Sequence, residues 1–260
     1  RNDLTSDYLD LHKLCKNNKV MLLSATPFNN KPQDTFNMIK LFQIPTRSSI
    51  QTVEHLLAAL SMAGITNVLV KVDEEIPNID GSANHFTELI NEAGVQDQDT
   101  AVKDAVVLEP IQVGRKKIDE KHLYVEPFDG FEVKMRVDFS SPIGEQKLTF
   151  NSEKDSFESD IAPARSFNTF ENIDIAQKTG TVGSGYLDSH IIMHEGKVIN
   201  TELRYPDEFV RHKILDSIGD LYLAGSPIIG YFYGNKSGHY LNNQLLRKLF
   251  SDTSNYEYIV

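Results

Sequence analysis

The chain has 260 residues, 40% of them hydrophobic, which is enough for one large domain or two small ones with a real core. Its formal net charge of −11 disfavours nucleic-acid binding, which needs a basic face. The single cysteine, Cys15, excludes an internal disulfide framework and a cysteine-rich zinc site, and it fits a cytoplasmic protein. We find no transmembrane segment and no secretory signal pattern, and the initial Arg1 indicates a fragment, a processed chain or a truncated gene.

The first hundred residues are predicted to mix strands and helices. In chain order we expect a strand at 19–23, a loop at 24–30, helices at 34–42 and 52–64, a strand at 67–72, a turn at 80–82 and a helix at 85–93. Thr52 is the expected N-cap of the second helix, and Gly64 closes it. Residues 94–104 are polar and lack periodicity, so we place a domain boundary there.

The remainder is predicted to form a mostly antiparallel sheet followed by helices. Strands are expected at 106–108, 123–126, 131–139, 146–150, 189–193, 197–200 and 256–260, and helices at 168–178, 207–223 and 237–250. Residues 127–130, Pro-Phe-Asp-Gly, predict a hairpin turn between two of these strands. Strands and helices in segregated runs favour an α+β fold.

The long helix carries the most informative cluster. His212 and Asp216 lie one turn apart on one helix face, and Asp220 continues that face. An imidazole and a carboxylate so placed form part of a metal site, and a catalytic zinc usually takes a third protein ligand. His55 is the best candidate because its neighbour Glu54 can accept a proton beside the metal.

Simpler interpretations of these residues stay open at this point. A His/Asp pair one turn apart is often a solvated helix face, and Glu54 can be an ordinary first-turn carboxylate. The segment 236–239, Lys-Ser-Gly-His, offers His239 as a proton carrier or is a capped surface loop. Ser166 offers a hydroxyl to a polarised carbonyl or lies at a strand edge, and the glycine-rich 180–185 lacks a phosphate-binding frame.

Five segments in order resemble one enzyme family. They are 52–60 (TVEHLLAAL), 79–83 (IDGSA), 161–167 (IAPARSF), 209–220 (FVRHKILDSIGD) and 236–239 (KSGH). Together they resemble the zinc-dependent UDP-3-O-acyl-N-acetylglucosamine deacetylases of lipid A biosynthesis, over about residue 52 to the end. The resemblance implies an α+β fold of two layered sheet-and-helix modules with the active site between them.

The resemblance also implies a role for each matching residue. Zn²⁺ would be held by His55, His212 and Asp216, with Glu54 as the general base. His239 would be the general acid, held by Asp220. Lys213 and Ser166 would stabilise the oxyanion, although the family usually has Thr at the position of Ser166.

The substrate side follows in the same way. An acylated UDP-sugar is the implied partner, Phe167 would lie near its sugar, and residues 171–203 would form a passage for its acyl chain. The implied reaction is hydrolysis of the N-acetyl amide, which releases acetate.

The front of the chain resembles a different family. Residues 19–45, with LLSATPFNN at 22–30, are similar to Swi/Snf-type superfamily-two helicases, but they contain no phosphate-binding Gly-Lys loop and so predict no ATP hydrolysis. We therefore expect a chimera joined near 46–54: a helicase-like fragment at 1–50, a partial first deacetylase module at 51–102 and a second module at 103–260. A truncated first module would lose its sheet partners and expose apolar surface, so the alternative function is an inactive remnant without catalysis.

Overall fold

The structure is a computed structural model that describes residues 53–72, 76, 78–115, 120–141, 143–172 and 189–260, with only the backbone at 71–72 and in a strand at 19–24. The described strands are β1 Lys19–Ser24, β2 Asn67–Val72, β3 Asp104–Val107, β4 Ile111–Gly114, β5 His122–Glu126, β6 Phe131–Asp138, β7 Glu145–Asn151, β8 Phe167–Thr169, β9 Ile191–His194, β10 Lys197–Val198, β11 Ile228–Asn235 and β12 Tyr256–Ile259. The described helices are α1 Val53–Met62, α2 Asn84–Ala93, α3 Phe157–Asp160, α4 Glu208–Leu221 and α5 His239–Leu249, with a 3-10 turn at Tyr222–Ala224. This mixture of sheets and helices confirms the α+β expectation.

Strand β11 is the centre of a seven-stranded sheet. It runs antiparallel to β5 on one side and parallel to β6 on the other. Strand β4 continues the sheet beyond β5 and β7 beyond β6, while β3 pairs with the first two residues of β11 and carries β12. Gly230 fits this crowded position because an added Cβ would lie 3.0 Å from a Val107 methyl and 3.1 Å from a Val125 methyl.

The predicted hairpin at 127–130 is wrong. Strands β5 and β6 do not pair with each other, because β11 lies between them and pairs with both. The four-residue loop therefore spans a gap of one strand, and Gly130 accepts a backbone hydrogen bond from Gly230 of the inserted strand. A turn sequence predicts that the chain changes direction. It cannot show that a strand about a hundred residues further along the chain pairs between the two strands that the turn connects.

Helices α4 and α5 pack on one face of this sheet and form the main core. The alternating burial of β11 and β5 supplies one wall and the apolar face of each helix supplies the other. The fully buried large side chains of this core include Phe150, Phe232, Leu123, Met135, Ile214 and Leu215.

The first part of the chain packs on the other side of α4. The apolar residues of α1 and α2 form a second core with Ile76 and with the partly buried Val68 and Val70 of β2. Strand β1 pairs with β2 in an antiparallel register from Lys19↔Val72 to Ser24↔Asn67. The expectation that this part loses its sheet partners is wrong for β2, whose partner comes from the segment interpreted as helicase-like.

Most predicted elements occur with ends shifted by a few residues. The helix expected at 168–178 begins later, because Phe167–Thr169 form strand β8 and helical structure starts at 170. The predicted helix at 34–42, the Thr52 cap and the rest of 173–188 lie outside the described residues. Across the part of the chain that the structure describes, the helices are too short or too polar for a bilayer crossing.

Candidate metal centre and active site

His55, His212 and Asp216 converge at the contact between α1 and α4. Their ligand atoms lie within 4.8 Å of one another and all three residues are buried. Oδ1 of Asp216 is 3.3 Å from Nε2 of His212 and 3.7 Å from Nε2 of His55. Both ring nitrogens of His55 and Oδ1 of Asp216 have no hydrogen-bond partner in the described structure. Buried polar atoms rarely stay unpaired, so these orphaned atoms fit a cation that they would share.

Gly219 makes this convergence possible. A Cβ at Gly219 would lie 2.7 Å from the carbonyl carbon of Glu54 and 2.9 Å from its Cα, and closer still to the carbonyl oxygen. Any side chain here would force α1 away from α4 by a large fraction of an ångström. The glycine therefore sets the distance between His55, near the start of α1, and the side chains of His212 and Asp216 on α4.

His212 is held in the tautomer that a metal needs. Its Nδ1 lies 3.0 Å from the carbonyl oxygen of Ala164, which only accepts hydrogen bonds, so Nδ1 carries the proton and Nε2 is free to act as a ligand. Burial lowers the pKa of His212 to about 3, against the opposing effect of Asp216. The imidazole is therefore neutral at neutral pH, as metal binding requires.

Asp216 divides its two oxygens between two tasks. Oδ2 accepts a 2.6 Å bond from Nζ of Lys213, which leaves Oδ1 to face the two histidines. Burial alone would raise the pKa of Asp216, but the opposing effects of its neighbours, led by the charge of Lys213, hold that pKa well below its usual range. The carboxylate stays ionised, and Lys213 compensates part of its charge inside the protein.

Glu54 and His239 flank the trio on its open side. With Asp216 they form a second group of possible ligands, but this group includes the exposed His239. His239 already has a firm partner, because its Nδ1 lies 2.7 Å from Oδ2 of Asp220. The buried trio is therefore the group better suited to hold a metal, and Glu54 and His239 lie beside it as groups that could transfer protons.

The environments of these two groups push their pKa values upward. Burial raises the pKa of Glu54, with the neighbouring His55 acting against it. The hydrogen bond to Asp220 raises the pKa of His239 to about 9. A carboxylate that binds protons more readily suits a base, and an imidazolium that persists at neutral pH suits an acid.

Ser166 and Phe167 enter the site from the start of β8, since Ser166 directly precedes that strand and Phe167 is its first residue. The Ser166 hydroxyl lies 3.3 Å from Nε2 of His212, and the Phe167 ring lies 5.9 Å from the His212 ring and 5.3 Å from Nζ of Lys213. Ser166 is anchored through its backbone, whose N–H donates to the Gly81 carbonyl at 2.7 Å. Gly81 has a φ of 81°, and a Cβ there would lie 3.0 Å from the Ser189 carbonyl carbon, so only glycine fits. The IDGSA segment thus holds the backbone of Ser166 in place through the Gly81 carbonyl.

Three residues that support the site were not identified from the sequence. Gly219 sets the helix distance, Asn242 donates to Asp220 at 2.7 Å, and the fully buried Glu208 binds Arg165 at 2.8 Å beside Ser166. Each acts through a neighbour that is distant in sequence. Asn242 alone had a local signal, since it lies one turn after His239 on α5.

The predicted acyl passage is described only in part. Residues 173–188 lie outside the described structure, and the flanking pieces are the start of a helix at 170–172 and strands β9 and β10. Strand β9 pairs in parallel with β8 and supplies Ile191 and Met193 to an apolar cluster with Phe209. This cluster adjoins the site through the Phe167 ring, whose centroid is 5.0 Å from that of Phe209.

Comparisons with known proteins agree on one family. The family profile described as "LpxC: UDP-3-O-acyl N-acetylglycosamine deacetylase" matches residues 17–251. A UDP-3-O-acyl-N-acetylglucosamine deacetylase of Acidithiobacillus ferrooxidans is 39% identical over 215 residues, which are 81% of this chain and 70% of that protein. The deacetylase of the same description from a Psychrobacter species is 40% identical over 215 residues, 81% of this chain and 71% of that protein.

These matches also bear on the front of the chain. The family profile begins at residue 17, ahead of the join expected near 46–54, and it therefore covers the helicase-like segment 19–45. Nothing in these comparisons supports a helicase-like fragment. The antiparallel pairing of β1 with β2 agrees with the family match, because it makes the two sides of the supposed join parts of one sheet.

Proposed function

The chain belongs to the LpxC family, and we propose that it hydrolyses the N-acetyl amide of UDP-3-O-acyl-N-acetylglucosamine and releases acetate, a step of lipid A biosynthesis. The observation that carries this proposal is the buried trio His55, His212 and Asp216 with its orphaned ligand atoms. Beside the trio lie Glu54 and His239, whose raised pKa values suit a base and an acid in amide hydrolysis.

Zinc is the metal that these residues fit best. Two imidazoles and one carboxylate form a common ligand set for catalytic zinc, and a fourth position is left for water or substrate. When bound, zinc supplies an electrophile that polarises the amide carbonyl and makes water more acidic. The other ring nitrogen of His212, Nδ1, donates to the Ala164 carbonyl, and a hydrogen bond of this kind is the usual outer support of a metal-binding histidine.

Glu54 and His239 are proposed to move the two protons of the reaction. Glu54 takes a proton from the attacking water, and the burial that raises its pKa makes it a better acceptor. His239, protonated at neutral pH because of Asp220, gives its Nε2 proton to the departing amine nitrogen. Nε2 is the nitrogen that points inward, 3.9 Å from Oδ2 of Asp216.

Lys213 and Ser166 are proposed to stabilise the negative charge that develops on the amide oxygen. Both lie on the Phe167 side of the trio, and each brings a donor within reach of the space beside His212. The bond from Lys213 to Asp216 holds the ammonium in place before substrate arrives. Phe167 is proposed to contact the sugar, and the region 171–203 to receive the acyl chain.

We expect this reaction in the cytoplasm. A chain whose single cysteine is Cys15 cannot form an internal disulfide and so does not depend on an oxidising compartment. The alternative of an inactive remnant rested on a first part without sheet partners. The pairing of β1 with β2 and the buried second core both favour the active enzyme.

Acetate release from UDP-3-O-acyl-N-acetylglucosamine tests the proposal. The zinc-loaded protein should release acetate, the Glu54→Ala variant should not, and Glu88→Ala, which removes an exposed carboxylate of α2, should behave like the parent. A folded, zinc-loaded parent that releases no more acetate than Glu54→Ala would refute the proposed function.

A further inference from the structure

A cavity of about 530 Å³ lies toward the C-terminal ends of α1 and α4, where Met62 and Leu221 are among the residues that line it. None of the residues proposed for zinc or proton transfer lines it. Its walls are mostly apolar and come from Met62 of α1, Ile90 of α2, Leu221 of α4 and Phe150 of β7. A space of this size with apolar walls is typical of small-molecule sites.

The cavity contains one poorly satisfied polar group. Ser226 lines it and is 3% exposed, and its hydroxyl has no hydrogen-bond partner of ordinary geometry in the described structure. Burial raises the pKa of the nearby Tyr258, and the Ser226 hydroxyl opposes that shift only weakly. A buried hydroxyl without a firm partner is rare in a filled core, which agrees with an open cavity beside Ser226.

The rim of the cavity is acidic. Asp155 and Glu158 line it and are exposed. Within the part of the chain that the structure describes, their hydrogen-bond donors are uncharged groups, the Asn151 backbone at 2.7 Å and the Asn91 amide at 2.9 Å. No described lysine, arginine or histidine pairs with either carboxylate. The rim therefore attracts cations and repels anions such as fatty acids.

We propose that this cavity is a second ligand site, which binds an amphiphile with an apolar body and one protonated amine. The body lies against Met62, Ile90 and Phe150, and the ammonium lies at the rim near Asp155 and Glu158. The site is separate from the proposed substrate site, so the two can be tested apart.

Dodecylamine and dodecanoate are a matched pair of probes for this site, since they share a chain length and differ in the sign of their charge. Both are titrated below their micelle concentrations into the zinc-loaded 260-residue protein with ¹³C-labelled methionine methyl groups. Met62 reports on the cavity and Met193 on the cluster beside the proposed substrate site. Met62→Leu and Met193→Leu assign the two signals.

We expect dodecylamine to shift the Met62 signal and to bind there about fivefold more tightly than dodecanoate, the effect of exposed charges. Ile90→Trp, which fills the cavity, should abolish the Met62 shift, and Glu158→Gln should reduce the preference for the amine. A Met62 signal that neither probe moves, or that dodecanoate moves at equal or lower concentration, would overturn the proposal. An unchanged melting temperature and acetate release for Ile90→Trp would show that the loss of binding is local.

Discussion

Two histidines on neighbouring helices show how one site makes opposite use of the same side chain. The side chain of His212 on α4 is 5% exposed, and burial lowers its pKa to about 3. The side chain of His239 at the start of α5 is 54% exposed, and its bond to Asp220 raises its pKa to about 9. One imidazole is therefore neutral at physiological pH and the other is charged.

The difference follows from which partner each ring has. His212 donates to a neutral carbonyl in a dry environment, which favours the uncharged form that a metal needs. His239 donates to a carboxylate near solvent, which favours the charged form that an acid needs. The proposed metal centre and the proposed proton donor thus share helix α4, which contributes His212 and Asp216 to the first and Asp220 to the second.

The largest expected effect comes from removing Glu54, the proposed base, which lies beside both Asp216 of the buried trio and His239. Glu54→Gln keeps the shape of the side chain but cannot accept the proton, so kcat should fall by about 10²- to 10⁴-fold. Zinc content should not change, because Glu54 is outside the ligand trio. The matched control is Glu88→Gln on the exposed face of α2. Loss of zinc together with activity would instead make Glu54 a ligand.

The exposed region is tested by Asp220→Asn. This change removes the group that raises the pKa of His239, so the pKa should fall toward its ordinary value of 6.5. The imidazolium would then be lost at lower pH, and the alkaline limb of the pH–activity profile should move downward. At neutral pH we expect a loss of about 10- to 100-fold, as for other outer partners. Asp252→Asn, which changes an exposed carboxylate beyond the end of α5, is the control. An alkaline limb that does not move in Asp220→Asn would show that titration of His239 does not cause that limb.

The buried region is tested by Gly219→Ala. The new methyl would collide with the Glu54 backbone, and overpacking of this kind costs about 1–3 kcal/mol of unfolding free energy. Because α1 carries His55, zinc affinity should fall as well. Gly238→Ala adds the same methyl where no atom lies within 4 Å and is the control for stability. A variant that melts and binds zinc like the parent would show that the two helices have room to separate.

The smallest effect is expected outside both regions, at Asp80. Burial would raise its pKa, but hydrogen bonds from Arg204 and Ser82 outweigh it, so the pKa is lowered. A lowered folded-state pKa contributes stability above the ordinary value of 3.8, and that stability is lost as the pH falls further. Asp80→Asn should therefore lower the unfolding free energy by about 1 kcal/mol at pH 7. Denaturant titrations should show this gap closing in acid, whereas a gap independent of pH would contradict the ionic origin.

The sequence was sufficient for elements whose signal is local. Helix α4 was predictable because Phe209, Val210, Ile214 and Ile218 repeat with helical spacing and all are buried. His55 was a candidate third ligand of the proposed metal trio because of its neighbour Glu54. No spacing rule connects it with a helix that begins at Glu208, so the resemblance was needed to favour it over the simpler interpretations.

The missed features depend on contacts between distant residues. Strand β11 was not predicted, although it is the centre of the sheet, because Gly230 and Gly234 lower its strand propensity. The reason for these glycines becomes apparent only when β5 and β6 lie on either side of β11, because side chains of the neighbouring strands leave little room for a Cβ at either position. The hairpin error has the same origin, and so does the failure to recognise Gly219, whose role appears only when α1 lies against it.

Zinc titration of the metal-stripped protein tests the central claim most directly. We predict about one tightly bound zinc per chain, as for other sites with three protein ligands. His212→Ala and His55→Ala, each confirmed to be folded by circular dichroism, should lose that binding, while Asp220→Asn should keep it. A folded parent that binds no zinc, or a folded His212→Ala variant that binds it as tightly as the parent, would contradict the assignment of the buried trio as a metal centre.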